Sequence, residues 1–285
     1  MSPYNGWRVA SKTHLTAAAE TDAWDPRPYP RDVLREALTE ARIAGVVSHD
    51  RPNVFGKLLR LCQGDPDSQF GLTGVDTMSF EEVLALMSEA GGFDPDPAVS
   101  DGVVEVDPDR IIESLERIGD RLALAADRGE RVVLATGHPT GLPLLYAETG
   151  RLLERAGAEL LRPLEGRSWK EAGRRREIRY LHGVAVLTDR GSTLHTHSAD
   201  PMRRMLEEAT PDLVFADHGF AGAAIEAGID TVSIADVNDP ALVVAHHQGR
   251  AGPVVVMDDN VRPEAYWPCF QVLASRFRPG SASGE

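Results

Sequence analysis

Four aliphatic runs shape the second half of the chain: Val132-Val133-Leu134-Ala135, Leu213-Val214-Phe215-Ala216, Thr231-Val232-Ser233-Ile234-Ala235 and Val254-Val255-Val256-Met257. Runs of this kind, joined by helical segments, are the mark of parallel strands buried on both faces. Residues 144–156, 202–209, 220–227 and 240–247 read as the helices between them, the third stopped by Gly228. Strand, glycine loop, helix and strand in succession predict an α/β fold: a mostly parallel, Rossmann-like three-layer sheet over residues 129–277. A further strand begins at 158–162, and residues 163–179 read as a basic loop. Residues 184–187 and 193–197 flank Thr188-Asp189-Arg190-Gly191, turn residues that predict an antiparallel hairpin.

The pattern before residue 129 is different. Val33, Leu34, Ala37, Leu38 and Ala41 recur at three-and-four spacing, which predicts an amphipathic helix over 31–43 with Gly45 as its stop. A second helix follows over 54–62, broken by Gly64-Asp65-Pro66-Asp67. Ser79-Phe80-Glu81-Glu82 has capping-box spacing and opens a helix to about residue 90. Asp107-Pro108 supply an N-cap and a first-turn proline for a long helix striped by Ile111, Ile112, Leu115, Ile118, Leu122 and Ala125. Residues 31–128 are therefore expected to be a mostly helical region. Residues 1–30, rich in Pro, Trp and Asp, read as an arm, and 278–285 as a disordered tail.

A length of 285 residues suits one large domain or two ordinary ones. The formal charge of −14 argues against nucleic acid and anionic membranes as partners, while leaving room for a small phosphorylated molecule in a pocket that is locally positive or holds a cation. Two cysteines are too few for a disulfide framework, and no signal-peptide pattern or membrane-length apolar run is present. The expectation is a soluble cytoplasmic protein, with homo-oligomerisation left open.

The chemistry concentrates where the strands end. Three of the runs stop directly on an acid, giving Asp217-His218-Gly219, Asp236-Val237-Asn238-Asp239 and Asp258-Asp259-Asn260. Ligands of open α/β sheets gather past the carboxyl ends of the strands, so this edge is the expected active site. One such acid is often a helix cap, which is how Asp239 before Pro240 reads. Three crowded carboxylates need neutralising by cations, protons or a metal. His195 and His197, two apart on an expected strand, point to one face, either as a metal pair or as ordinary strand polars. The ligand candidates are thus His195, His197, Asp217, Asp236, Asn238 and Asp258, for a divalent ion (Mn, Zn, Fe, Co, Ni or Mg), of which imidazole suits Mn, Zn, Fe or Ni better than Mg.

Thr136-Gly137-His138-Pro139-Thr140-Gly141 joins a strand to a helix and lacks both the P-loop ending and the dinucleotide fingerprint. It is either a phosphate cradle or a tight turn without a ligand. Arg42, Arg51 and Asn53 are candidate phosphate clamps, Arg179 borders a strand and could turn inward, and His246 and His247 suit the end of a helix dipole.

Arg42-Ile43-Ala44-Gly45, the 135–141 segment, Leu194-His195-Thr196-His197-Ser198, Ala216-Asp217-His218-Gly219, Gly228-Ile229-Asp230-Thr231 and Met257-Asp258-Asp259-Asn260 occur in an order that resembles a family of actinobacterial metal-dependent phosphatases. The likeness covers most of residues 31–270. It implies metal-assisted phosphomonoester hydrolysis, on a sugar or nucleoside phosphate if the likeness extends to relatives in nucleoside natural-product biosynthesis. On that basis the cation sits among the carboxylates and histidines, Asp217 belongs to the catalytic set, and His138 or His218 protonates the leaving oxygen. Thr136, Gly137, Thr140, Arg42 and Asn260 then bind the phosphate end of the substrate. Two other readings stand beside this one. His195-Thr196-His197 also resembles the metal dyad of amidohydrolase-type and histidinol-phosphatase-type barrels, and a phospho-metabolite binder without catalysis remains open.

Overall fold

The structure is a computed structural model that describes residues 29–171 and 173–277. The expected arm, apart from Tyr29 and Pro30, and the tail from 278 lie outside the described residues. The chain begins with helix α1 (Arg31–Glu40), strand β1 (Gly45–Asp50), α2 (Arg51–Cys62), the short α3 (Pro66–Gln69), α4 (Phe80–Gly91), β2 (Val103–Val106) and the long α5 (Pro108–Asp127). The caps read from sequence are in place: Ser79 and Glu82 form a reciprocal capping box on α4, and the Asp107 carboxylate accepts from the Asp109 amide 2.8 Å away at the start of α5. Each satisfies backbone donors that the first helical turn leaves without a partner.

This region is not simply helical. β1 and β2 pair antiparallel, Gly45 opposite Val106 and Asp50 opposite Val103, so Gly45 opens a strand rather than only closing a helix. The two strands are short and far apart in sequence. Their pairing is a tertiary preference with little local signal to announce it.

From residue 131 the strands and helices alternate: β3 (Arg131–Thr136), α6 (Pro143–Ala156), β4 (Glu159–Leu160), β5 (Ser168–Glu171), β6 (Arg174–Leu181), β7 (Val184–Asp189), β8 (Ser192–Thr193), α7 (Asp200–Glu208), β9 (Leu213–Asp217), α8 (His218–Glu226), β10 (Thr231–Ala235), α9 (Ala241–His247), β11 (Val254–Val256) and α10 (Trp267–Ala274). The sheet runs β11-β10-β9-β3-β7-β6-β5. β11, β10, β9, β3 and β7 are parallel, and β6 and β5 extend the sheet antiparallel at one edge. The fold is therefore α/β, with a mixed and mostly parallel central sheet. α5, α6 and α10 pack together in one group of helices, and α7, α8 and α9 form a row in another. Among the described residues no helix is long and apolar enough to cross a membrane.

Two expectations in the 163–197 stretch need correcting. The basic loop contains the β5–β6 hairpin, in which Ser168 pairs with Glu177 and Glu171 with Arg174. An edge strand needs little apolar surface and is protected from further pairing by charge, so an arginine-rich strand resembles a loop in sequence. The hairpin predicted over 184–197 exists only as β7 with the two residues of β8, whereas β7 pairs along its length with β6 before it. Residues 194–198 are irregular. His195 and His197 are thus not strand neighbours, and the two-residue periodicity does not explain where their rings point.

Candidate active site

The order of the strands locates the crevice. β3 lies between β7 and β9. After β3 the chain goes out to the edge at β5 and returns through β6 to β7 beside β3, then crosses to β9 and continues through β10 to β11 on the other side. The loops after β3 and β9 consequently part in opposite directions, and a ligand crevice opens at such a switch point. Thr136-Gly137-His138 and Asp217-His218 stand at the two strand ends that flank it.

Asp217 ties the two loops together. Its Oδ1 accepts from the Gly137 amide at 2.7 Å and meets His218 Nδ1 at 2.9 Å. It makes no cap bond to α8, although it directly precedes that helix. His218 is held in left-handed backbone, φ 45°, a conformation that costs a non-glycine residue about 1–3 kcal/mol and persists only where surrounding contacts impose it. The contacts here are carboxylates: Nδ1 meets Asp217, and Nε2 lies 3.0 Å from Asp239 and 3.7 Å from Asp259. Burial opposes a charge on this ring, but hydrogen bonds to Asp217 and Asp239 outweigh it and raise its pKa well above the usual histidine value. Asp239 was expected to cap a helix. The structure instead turns it inward and leaves α9 without a side-chain cap, because a fully buried imidazole gives its carboxylate a better partner than a helix start does.

Four histidine rings pack together. His138 lies 4.3 Å from His195 and 4.6 Å from His218, and His197 stacks on His218 at 4.8 Å. His195 and His197 do converge, ring to ring at 5.0 Å, because the 194–198 segment is strapped across the crevice. The Thr196 amide donates to the Gly137 carbonyl at 3.1 Å. A side chain at Gly219 would stand 2.2 Å from the His197 carbonyl, so the strap lies directly on the first turn of α8. Burial, with the neighbouring His138, His218 and His197, pushes the His195 pKa down to about 4. Burial and His218 also lower that of His197, whose Nδ1 meets Asp67 at 3.2 Å. Neutral imidazoles are the form that binds metal ions.

Asp259 departs from the rule that buried polar atoms find partners. Both of its oxygens are buried without a hydrogen bond. His138 Nδ1 lies 3.2 Å from Oδ2, near enough for attraction between charges but not aligned as a hydrogen bond. Burial raises the Asp259 pKa despite His138 and His218. The second oxygen of Asp217 is likewise buried and unpaired. Two sets of side chains have ligand atoms close enough to share an ion: His138, His195 and His218, and His218, Asp239 and Asp259. The unpaired oxygens of Asp259, which hold the pKa of His138 up against burial, and the imidazole of His195, held neutral, fit a divalent cation in donor type.

Of the ligand candidates from sequence, His195 lies in the first of these sets, while Asp217 adjoins them and is occupied by Gly137 and His218. His197 packs against the cluster without joining either set. Asp236 binds His49 Nε2 at 2.8 Å and its own neighbour's amide at 2.7 Å. Burial and the charge of Asp259 push its pKa up to about 7, against the pull of His49. Asn238 donates to Asn53 at 2.8 Å. Asp258 accepts from the amides of Ser48 and Asn260, so its carboxylate fastens loops and leaves the crevice to Asp259. His49, Asp239 and Asp259 were not among the sequence candidates. Asp259 is legible in sequence as part of the Asp258-Asp259-Asn260 strand end, of which Asp258 is the expected ligand.

The phosphate-binding candidates divide in the same way. The amides of Gly137 and His138 are occupied by Asp217 and by the Thr136 hydroxyl, so the loop serves a carboxylate instead of offering free donors. Thr140 and Asn260 are exposed at the rim. Arg42 is exposed too, next to Ile43, whose carbonyl accepts from the Asp258 amide at 3.3 Å. Arg51 is buried, its guanidinium bound to the carbonyls of Val99, Asp94 and Asp96 and packed over the Phe55 ring. It therefore fastens the 94–99 connector to α2 and is not a phosphate clamp. Arg51→Met is expected to lower stability by roughly 1.5–3 kcal/mol, the worth of hydrogen bonds from a charged donor. The urea midpoint should fall while phosphate release per folded molecule is unchanged; weaker substrate binding at unchanged stability would return Arg51 to the clamp role.

The sheet whose crevice the two histidines cross is open, ending at β11 and β5 among the described residues, and is not a barrel. A curated relative, Phosphatase SCO2771 of Streptomyces coelicolor, is 39% identical over 244 residues, covering 83% of this chain and 92% of its own. Residues 29–280 match the family described as Phosphatase, which spans every strand and loop of the crevice, and the chain accordingly belongs to the Phosphatase family and is a phosphatase.

Proposed function

We propose that the protein is a metal-dependent phosphomonoesterase acting on a small phosphorylated metabolite, with a sugar or nucleoside phosphate as the chemical class. The observation that carries the metal requirement is Asp259, a buried carboxylate with no hydrogen-bond donor on either oxygen, facing histidines at the switch crevice. The residues that would hold the ion fall in two sets that share His218: His138 and His195 in one, Asp239 and Asp259 in the other. A divalent cation held there supplies Lewis-acid stabilisation of phosphoryl charge and acidifies water for in-line attack.

The protein's own groups prepare the rest. Asp217 fixes the β3 loop and the Nδ1 side of His218, and Asp239 fixes the Nε2 side. A ring held between two carboxylates keeps a proton on each nitrogen. Its Nε2 proton, shared with Asp239 at 3.0 Å, is the one the ring would give to the leaving oxygen in the role of a general acid. Phe70, edge-on to His197 at 5.1 Å and to His218 at 5.2 Å, closes the apolar side and limits water around the cluster.

The test is chelator-stripped protein assayed against sugar phosphates and nucleotides with Mg, Mn, Zn, Co, Ni or ferrous iron restored singly. Phosphate release should vanish on stripping and return with an ion that prefers mixed imidazole and carboxylate ligands. Undiminished turnover in protein shown by elemental analysis to contain no metal refutes the metal requirement.

A further inference from the structure

We propose that Lys57 is the residue that binds the phosphoryl oxygens of the substrate, reaching the crevice from helix α2. The proposal rests on the phosphatase reading above and names the positive group that reading needs. A phosphate dianion entering a crevice already lined by Asp217, Asp236, Asp239 and Asp259 is repelled unless donors other than the cation meet it. The donors that sequence suggests do not meet it: the amides of Gly137 and His138 are occupied, Arg51 is bound to carbonyls, and Arg42 stands exposed at the rim.

Helix α2 has two faces. Val54, Leu58 and Leu61 are buried in the core. Asn53 and Lys57, four residues apart, share another face, because positions i and i+4 stand one above the other on a helix. Asn53 fixes where that face looks, since its Oδ1 accepts from Asn238 just past β10 at 2.8 Å. One turn on, Lys57 stands on this same face of the helix. The charge of Lys57 acts on both His197 and Asp239.

The side chain is half-buried, and among the described residues its ammonium forms no ion pair or hydrogen bond within normal distance. A compact point charge on a flexible stem can follow a phosphoryl group as its geometry changes, which a fixed guanidinium fork does less well.

The experiment uses the full chain with its metal restored, inorganic phosphate as the calorimetric probe and p-nitrophenyl phosphate as the kinetic one. Lys57→Gln should bind inorganic phosphate about tenfold more weakly and raise KM by a similar factor, the size of one charge-assisted hydrogen bond. Metal content should be unchanged, and Lys57→Arg should recover most of the affinity. Lys57→Met, which keeps the apolar stem, serves if the amide variant folds poorly. Phosphate binding equal to wild type in Lys57→Gln overturns the proposal, and so does a loss of bound metal, which would make Lys57 a support for Asp239. If wild-type protein binds phosphate but hydrolyses nothing, the phosphatase mechanism fails while the titration still decides Lys57.

Discussion

Asp259→Asn is expected to reduce phosphate release by on the order of 10²–10³-fold, the scale seen when one preorganised electrostatic group is removed from an active site. The same change should make the metal-free protein more stable. The reason for the opposite signs is the environment of this carboxylate. Burial raises its pKa, with the charge of Asp239 adding to the effect and His138 and His218 only partly offsetting it. A group whose folded pKa lies above its unfolded one weakens the fold as pH rises through the unfolded value, because the folded state resists losing the proton. Asn imitates the protonated form and escapes that penalty at neutral pH. A gain of ~1 kcal/mol raises Tm by about 2–4 °C in domains approaching this size. Calorimetry in chelator, paired with a phosphate-release assay, reads both signs together. A divalent cation should then raise Tm of wild type and not of the variant, since an ion that binds only the folded state stabilises it by mass action. Lower stability in chelator together with retained turnover would mark Asp259 as a structural acid and remove it from the cation site.

The acids at the strand ends show what sequence can and cannot convey. That β9, β10 and β11 end at the crevice is legible, because a continuous aliphatic run followed by an acid is a local pattern. Which acid turns inward is not. Asp258 and Asp259 are chemically identical neighbours, and the backbone after β11 gives the first to the amides of Ser48 and Asn260 and the second to the crevice. Asp239 misled for a related reason: an acid before proline is a good helix cap, and only the buried ring of His218, supplied by a different strand end, outbids that use. His49 and Lys57 were invisible as site residues because β1 and α2 reach the crevice through tertiary pairing alone, β1 with β2 and Asn53 with Asn238.

His195 and His197 make the converse case. The expectation that they face together holds in space, at 5.0 Å between rings, although the strand invoked to explain it is absent. What orients them is the strap over Gly137 and Gly219, so the small residues, more than the histidines, encode the arrangement. This shifts the role of the 136–141 loop. Its glycine serves close approach between backbone segments, and the phosphate-facing charge must come from elsewhere.

Gly137→Ala therefore carries the second large expected effect. A Cβ on residue 137 would stand 2.4 Å from the Thr196 carbonyl oxygen, 3.1 Å from His218 Nδ1 and 3.2 Å from Asp217 Oδ1. The nearest of these is backbone and cannot swing aside as a side-chain tip could. Relief requires the 194–198 strap to lift, which loosens the 3.1 Å bond from the Thr196 amide to the Gly137 carbonyl and carries His195 away from His138. The 2.7 Å bond from the Gly137 amide to Asp217 is strained by the same movement, and with it the orientation of His218. A displacement near 1 Å in catalytic groups lowers turnover by about 10²-fold, and the overpacked site should cost about 1–3 kcal/mol of stability. Steady-state kinetics and urea unfolding measure the two effects, and the loss in kcat should exceed what the unfolded fraction explains. A crystal structure of the variant with the strap in place, together with wild-type turnover, would refute the claim that this close approach positions the histidines.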